Sequence, residues 1–444
     1  MRMIFRILIH LLPITAVDPY TLQQNPCVRK HSGHFFPISN SEVLDIVEHW
    51  EGRFDEKGYF LEANIDLEDI QSFTVKSDRK ILSIDLGGSS LKLGIVEFSS
   101  SADSSPKCLS TKLYSYVTEE GEECIANTTW YDWVALRIKQ YVGSVSIDAG
   151  VLTFSYPVKS DTIRDGQIFS IGKNWRFLQN KATFEESIVK SLNQSLNKLG
   201  LLFSVKCVAN DVIATYMSGF AYGYNDHIAV ILGTGTNGGF TIPKCKGKPM
   251  LVNSEWSRAY VPSSVSTRAD QIVMDRLKDL PNVSAPFEIL TSGVKFVEII
   301  NEQMKIILGE QYASYYNGDI DISRILKVFY DENSRKSVED EILNSVVLSF
   351  KRRSYKMLSA LVIASMLAKE CYTFDIITNG TAFVFKKDLE MMSEILEEVI
   401  SIVRESKKIK NEIKFTLEHH NDASLIGSAY LGAYCLEIDT LASS

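Results

Sequence analysis

Two glycine-rich turns, each between two predicted strands, are the features of the sequence most suited to chemistry. The first, residues 85–90, reads Asp-Leu-Gly-Gly-Ser-Ser, and the second, residues 233–236, reads Gly-Thr-Gly-Thr. Glycine lets backbone N–H groups approach an anion closely, and nearby hydroxyls add further donors. Although a lone Gly-Gly pair is more often a plain β-turn, the repetition predicts phosphate binding. The candidate phosphate ligands are Gly87, Gly88, Ser89, Ser90, Gly233, Thr234, Gly235 and Thr236.

A third turn, Asn379-Gly380-Thr381, follows another predicted strand and repeats the same residue types. The G-x-x-x-x-G-K-[ST] pattern of a P-loop, which joins a strand to a helix, is absent from the sequence. The three turns therefore favour a nucleotide site of a different class from that of the P-loop NTPases.

Two aspartates stand at predicted strand ends, where a reaction centre needs charged groups. Asp85 opens the first turn, and carboxylates hold Mg²⁺ directly or through water. Asp211 follows the strand 205–209 and precedes a helix, so it is a candidate base for an attacking hydroxyl. The alternative for Asp211 is a helix N-cap, which an Asn-Asp pair commonly provides.

Paired amides and carboxylates are the groups that recognise sugar hydroxyls. Asn253-Ser254-Glu255-Trp256 and Phe287-Glu288 place carboxylates in locally apolar surroundings. Taken alone, each of these residues is more typical of a surface or capping position.

The elements that position these residues form two similar units. Strands are predicted at 81–85 and 91–98 around the first turn, and at 227–232 and 240–242 around the second. Residues 265–372 are predicted to be mostly helical. This repetition of strand, glycine turn and strand predicts a duplicated α/β fold with a cleft between two lobes.

Length and composition agree with two lobes and exclude some partners. The chain has 444 residues, more than one ordinary core accommodates, and its net charge of −8 disfavours nucleic acid as a partner. The seven cysteines include no C-x-x-C pair, so they are interpreted as reduced thiols rather than as a zinc site or disulfide scaffold.

The N-terminus allows two interpretations. Residues 1–17 have a basic start and an apolar stretch, which is the layout of a short secretory signal, and the stretch is too short to span a bilayer comfortably. The alternative is a retained extension. The protein is accordingly expected in the cytoplasm, or outside the cell if the signal works. Residues 18–79 are expected to be an extension containing one helix, over 42–53.

Together these motifs resemble the eukaryotic hexokinase/glucokinase family over roughly residues 80–435, in both order and spacing. With a secretory-looking start, the chain is also similar to the exported hexokinases of microsporidia. The segments that carry the family resemblance are 84–92, 150–157, 172–173, 210–211, 233–237, 253–255, 287–293, 379–381 and 422–429.

The resemblance implies two actin-like, duplicated ribonuclease H-like lobes that close on a hexose. The small lobe would be residues 80–210, joined by a C-terminal helix from about 430 to 444, and the large lobe 211–429. The implied reaction moves the γ-phosphoryl of ATP, with Mg²⁺ near Asp85, to the sugar 6-hydroxyl, with Asp211 as base. The implied sugar ligands are Ser155, Lys173, Asn210, Asp211, Asn237, Glu255 and Glu288. The implied nucleotide ligands are Asp85, the residues of the three turns and Ser424.

Several positions depart from the family pattern. Val212-Ile213-Ala214-Thr215 replaces Thr-x-Gly-Thr, Ser90 and Lys92 replace Asn and Arg, and Asn379 replaces Asp. These departures keep a second hypothesis open besides a hexose kinase, a catalytically weak sugar-binding sensor on the same scaffold. A third hypothesis is an ATPase of the actin or Hsp70 type, which would share the phosphate turns but would not need Asn237, Asn253, Glu255 and Glu288. The sequence does not rank the hexoses or predict the oligomeric state.

Overall fold

The computed structural model describes residues 35–443, apart from 57–58, 89, 101–104, 116–126, 157, 172–174, 176, 180, 245–246 and 279–284. The proposed signal at 1–17 lies outside these residues. Among the helices described, none is long and apolar enough to cross a membrane.

Two mixed sheets of matching topology form the framework. One has the strand order β4 (Lys107–Ser115), β3 (Ser90–Phe98), β2 (Arg79–Leu86), β5 (Ala149–Phe154) and β8 (Val205–Ala209). The other has the order β1 (Leu61–Glu62), β11 (Gly247–Asn253), β10 (Thr236–Lys244), β9 (His227–Leu232), β12 (Thr373–Asn379) and β13 (Lys414–His419). In each sheet an antiparallel meander (β2-β3-β4 or β9-β10-β11) is extended by two parallel strands. The predicted duplication is therefore confirmed, and β1 is the one strand of the second sheet with no counterpart in the first.

The strand bounds are β1 Leu61–Glu62, β2 Arg79–Leu86, β3 Ser90–Phe98, β4 Lys107–Ser115, β5 Ala149–Phe154, β6 Val158–Thr162, β7 Asp165–Ile168, β8 Val205–Ala209, β9 His227–Leu232, β10 Thr236–Lys244, β11 Gly247–Asn253, β12 Thr373–Asn379 and β13 Lys414–His419. Both glycine turns join antiparallel neighbours, β2 to β3 and β9 to β10, as the sequence predicted. Strand β5 is buried along its whole length, which explains its continuous apolar run.

The α-helix bounds are α1 Asn40–Glu51, α2 Leu67–Gln71, α3 Trp130–Val142, α4 Lys181–Glu185, α5 Ile188–Lys198, α6 Asp211–Tyr222, α7 Arg268–Leu277, α8 Pro286–Thr291, α9 Phe296–Leu308, α10 Tyr312–Tyr315, α11 Ile322–Tyr330, α12 Val338–Leu367, α13 Lys386–Lys407 and α14 Ala423–Ser443. Helices dominate residues 265–372, as predicted. The C-terminal helix, expected from about residue 430, begins at Ala423.

Helices α6 and α14 cross at a very short distance. A side chain at Gly427 of α14 would overlap the backbone carbonyl oxygen of Ala214 in α6 and lie 2.5 Å from the Ser218 nitrogen. Glycine therefore sets the separation of the two helices. Because α6 begins at Asp211 and Ser424 lies in the first turn of α14, this crossing fixes two predicted site residues relative to each other.

The N-terminal extension packs on the second sheet and its helices. Helix α1 begins with a capping box formed by Ser39 and Glu42, and its buried stripe is Val43, Ile46, Val47 and Trp50. The predicted helix at 42–53 is thus present two residues earlier at each end. These side chains belong to the same hydrophobic core as the long helix α12.

Candidate functional site

Three parallel strands of the first sheet end next to one another and carry the first group of site residues. Asp85 of β2 pairs with Thr153 of β5, which pairs with Ala209 of β8. Ser155 follows β5 directly, and Asp211 lies two residues beyond the end of β8. The carboxyl ends of neighbouring parallel strands are where α/β sheets bind ligands, so this edge is the expected place for a site.

Asp211 is the first residue of α6, and Asn210 supplies its N-cap. The Asn210 side chain accepts a hydrogen bond from the Val212 N–H at 3.0 Å, and Asp211 Oδ1 lies 2.8 Å from the same nitrogen. The capping role that was the alternative for Asp211 therefore belongs to Asn210 in the first place. Asp211 remains partly accessible at the helix N-terminus.

The surroundings of Asp211 make it a stronger base than an ordinary aspartate. Burial raises its pKa to about 6, and the charges of Asp85 and Glu255 add to this effect. A hydrogen bond from the Ser155 side chain acts in the opposite direction. Asp85, Ser155 and Glu255 thus all act on Asp211, although Glu255 follows strand β11 of the second sheet.

Asn237, Asn253 and Glu255 form a hydrogen-bonded chain, here called the amide–carboxylate cluster. Asn237 Nδ2 donates to Asn253 Oδ1 at 2.9 Å, and Asn253 Nδ2 donates to Glu255 Oε1 at 2.8 Å. Glu255 adopts a left-handed backbone conformation, with φ of 51° and ψ of 48°. Such a conformation is costly for a non-glycine residue and is typical of functional sites. Asn253, which the resemblance included in the 253–255 motif without naming it as a ligand, links the two predicted sugar ligands.

Helix α8 connects Glu288 to the second glycine turn. A side chain at Gly235 would lie 2.6 Å from Glu288 Oε1, so glycine is needed for the buried carboxylate to approach the turn. Just beyond the helix, Ser292 Oγ donates to the Thr234 carbonyl at 2.9 Å, and the Gly293 N–H donates to the Gly233 carbonyl at 2.7 Å. Helix α8 and the two residues that follow it therefore contact the predicted phosphate turn and also carry the predicted sugar carboxylate, Glu288.

The third turn lies beside the second because β12 and β9 are parallel neighbours. Gly380 has φ of 109°, and a side chain there would overlap the Leu232 carbonyl oxygen. Asn379 donates to Thr215 Oγ1 at 3.4 Å, and Thr215 Oγ1 donates to the Asp211 carbonyl at 2.9 Å. The third turn is thus connected through Thr215 to the residue predicted to be the base.

Two contacts connect the first turn to the start of α14. Ser424, predicted as a nucleotide ligand, donates from Oγ to Asp85 Oδ2 at 3.1 Å. Lys92, which stands where the family has Arg, forms a 2.6 Å ion pair with Asp422. Asp85 is therefore oriented by a residue more than 300 positions away in the sequence.

The three turns fit a phosphate-bearing ligand. Thr234 and Thr381 are exposed, and the buried Thr236 hydroxyl has no hydrogen-bond partner among the residues the structure describes. An unsatisfied buried hydroxyl beside a glycine turn is one that a phosphate oxygen would satisfy. In the described ranges no group of three or more acidic, His or Cys residues could hold a metal ion.

Two predicted ligands, Ser89 and Lys173, lie outside the described residues. In the described part of the first turn, the Gly87 N–H donates to the Ser90 carbonyl at 3.0 Å. The roles of these side chains toward a ligand stay predictions.

Sequence comparison identifies the family. Sequence models described as Hexokinase match residues 72–221 and 227–434. A hexokinase of Kluyveromyces lactis is 24% identical over 333 residues, which cover 69% of this chain and 66% of the relative. Hexokinase-2 of Oryza sativa subsp. japonica is 30% identical over 190 residues, which cover 38% of this chain and 37% of the relative. The alignments to these two relatives thus span about one third to two thirds of their length.

Solved structures show the same fold. The hexokinase of Schistosoma mansoni complexed with glucose has a TM-score of 0.68 at 16% identity, over 93% of this chain and 98% of that one. Another hexokinase crystal structure has a TM-score of 0.71 at 14% identity, over 93% of this chain and all of the other. The predicted two-lobe actin-like architecture is thereby confirmed.

Proposed function

The chain belongs to the hexokinase family, and from this premise we propose that it transfers the γ-phosphoryl group of ATP to the 6-hydroxyl of glucose or a related hexose. The observation that carries the proposal is that Asp211 lies within electrostatic reach of both Asp85 and Glu255. A phosphate turn alone fits any actin-like ATPase. A base placed between a phosphate turn and an amide–carboxylate cluster fits a kinase that acts on a polyhydroxylated substrate.

In the proposed reaction the side chains of this protein bind the hexose, orient it and remove one proton. The amide–carboxylate cluster and Glu288 offer acceptors and donors for the sugar hydroxyls. Ser155 hydrogen-bonds to Asp211, and Asn210 caps the helix that begins at Asp211. Asp211 accepts the proton of the 6-hydroxyl as that oxygen attacks. With a pKa of about 6, its carboxylate is ionised at neutral pH and yet basic enough to take the proton.

The glycine turns would hold the phosphates through backbone N–H groups and the hydroxyls of Thr234, Thr236 and Thr381. Asp85, oriented by Ser424, would hold Mg²⁺ through water. ATP supplies the phosphoryl group, and Mg²⁺ neutralises the charge that develops on it.

A coupled assay for ADP formation across several hexoses tests the proposal. We expect ADP formation to require both MgATP and a hexose with a free 6-hydroxyl, and 6-deoxyglucose to be inert because it lacks the attacking oxygen. Hexose binding without ADP formation would identify a sensor, and ADP formation without any sugar would identify an ATPase. Either result would overturn the proposal.

The pH dependence of kcat/KM should show the ionisation of Asp211, the proposed base. Because only the carboxylate of Asp211 accepts a proton, activity should fall about tenfold per pH unit below its pKa of about 6. The profile is measured with saturating MgATP at constant ionic strength. A profile that stays flat down to pH 4.5 would show that no group with this pKa limits the reaction.

A further inference from the structure

Residues 35–62 lie outside the segments that the hexokinase family models match, which begin at residue 72. They nevertheless contact the elements that carry all three members of the amide–carboxylate cluster. This raises the question of what the extension contributes to the site.

The first contact is made by the backbone. Strand β1 pairs with the edge of β11, with Leu61 opposite Asn253 and Glu62 opposite Val252. The Ala63 N–H extends the pairing by donating to the Leu251 carbonyl at 3.0 Å. The extension therefore covers the strand edge at Asn253, the central residue of the cluster.

The second contact is made by Trp50, at the end of α1. Its ring meets that of Trp256 edge to face, with centroids 6.5 Å apart and planes at 75°. Its indole N–H donates to Ser365 Oγ at 2.9 Å, which fixes the ring against α12. Trp256 directly follows Glu255 and is fully buried, so Trp50 supports the residue next to the strained glutamate.

The third contact reaches Asn237. The Trp256 ring fills the space beside Gly238, where a side chain would overlap the indole. Two residues further along β10, the ring of Phe240 lies 5.7 Å from those of both Phe54 and Phe60. The aromatic side chains of the extension thus support the strand that presents Asn237.

We propose that the N-terminal extension is a positioning element of the hexose site, with Trp50 as its principal side chain. Glu255 is held in a left-handed conformation, and such strain persists only when surrounding packing fixes it. Sites of this kind need their ligands held to about 0.5 Å by supporting side chains. The inference rests on the proposed function, because it assigns the cluster to hexose.

Trp50→Leu in the full chain tests the inference, with Phe36→Leu as the matched control. Phe36 belongs to the same extension and is equally buried, but its ring contacts Phe350 and Arg353. Both variants lose aromatic burial, so both should lower the Tm. Binding of glucose is measured by calorimetry without nucleotide, and KM for ATP by the coupled assay.

We expect Trp50→Leu to weaken glucose binding about tenfold, within the roughly 10²-fold that misplaced ligands can cost, and to change KM for ATP less than about twofold. Phe36→Leu should keep the wild-type glucose Kd. Trp50→Phe retains the ring but loses the bond to Ser365 and should show a smaller effect of the same kind. If Trp50→Leu does not fold, the glucose Kd of Trp50→Phe tests the positioning role in its place.

Wild-type glucose affinity in a folded Trp50→Leu variant, or equal losses of affinity in both leucine variants, would overturn the positioning role alone. A wild-type protein that binds glucose but forms no glucose 6-phosphate would overturn the proposed function and leave the Kd comparison valid. The two failures are therefore distinguishable.

Discussion

Asp211→Asn should lower kcat for hexose phosphorylation by about 10²- to 10⁴-fold, which is the range that a positioned general base contributes. The amide has nearly the same shape as the carboxylate and can still accept the hydrogen bond from Ser155. It cannot take a proton from the attacking hydroxyl. The variant should therefore bind glucose, as measured by calorimetry, while the coupled assay shows little product.

The same substitution should not lower the thermal stability at pH 7. The pKa of Asp211 is raised from 3.8 to about 6 in the folded protein, because burial and neighbouring charges disfavour the carboxylate. The stabilising contribution of such a group is fully present below its unfolded pKa and is lost as pH rises through about 6. At neutral pH the wild-type protein bears the cost of burying a charged carboxylate, and the neutral amide avoids that cost. The Tm of Asp211→Asn should therefore equal or exceed that of the wild type.

Asp226→Asn is the control, because Asp226 has an exposed side chain before β9 and should tolerate the same change with full activity. Loss of activity together with loss of Tm in Asp211→Asn would mean that the residue acts through the fold. Retention of most of the wild-type kcat would remove Asp211 from the role of base.

The parts of the site that the sequence predicted are those set by local rules. A glycine turn after an apolar strand predicts a backbone path, and parallel strands place their ends along one edge. The family resemblance assigned Asp85, Ser155 and Asp211 to one site, and the parallel pairing of β2, β5 and β8 explains why they lie near each other. The equal order of the strands in the two sheets follows from the repeated strand–turn–strand pattern.

The parts that the sequence did not predict depend on contacts between distant residues. The pairing of Leu61 with Asn253 and the bond from Ser424 to Asp85 join segments that no local pattern relates. The left-handed backbone of Glu255 has no signature in its neighbours, since glycine is the usual residue for that conformation. Each of these features is visible only in the folded structure.

The departures from the family pattern are accommodated by specific contacts. Lys92 keeps a cation at its position and pairs with Asp422. Thr215, the residue of its segment that persists, makes bonds to both Asp211 and Asn379. Val212 and Ala214 are fully buried in the packing of α6, so the lost hydroxyl and glycine are replaced by apolar contacts. These contacts explain how the fold accommodates the departures.

Gly427→Ala should be the most damaging small substitution in the framework. The added methyl group would overlap the Ala214 carbonyl oxygen, and the obstacle is the backbone of α6, which no rotamer change removes. Overpacking of this kind costs about 1–3 kcal/mol or more in the free energy of unfolding, measured by urea denaturation. Because α6 carries Asp211 and α14 carries Ser424, separation of the helices should also lower kcat.

Gly432→Ala on the same helix is the matched control for that experiment. Its new methyl group would lie 3.0 Å from Ile81 Cγ2, a side-chain atom that can shift. The control should lose clearly less stability than Gly427→Ala and keep most of its activity. Equal effects of the two substitutions would show that helix propensity or general crowding in α14, rather than the crossing at Ala214, determines the response. A second change, Ala214→Gly, should not rescue Gly427→Ala, because it leaves the obstructing carbonyl in place.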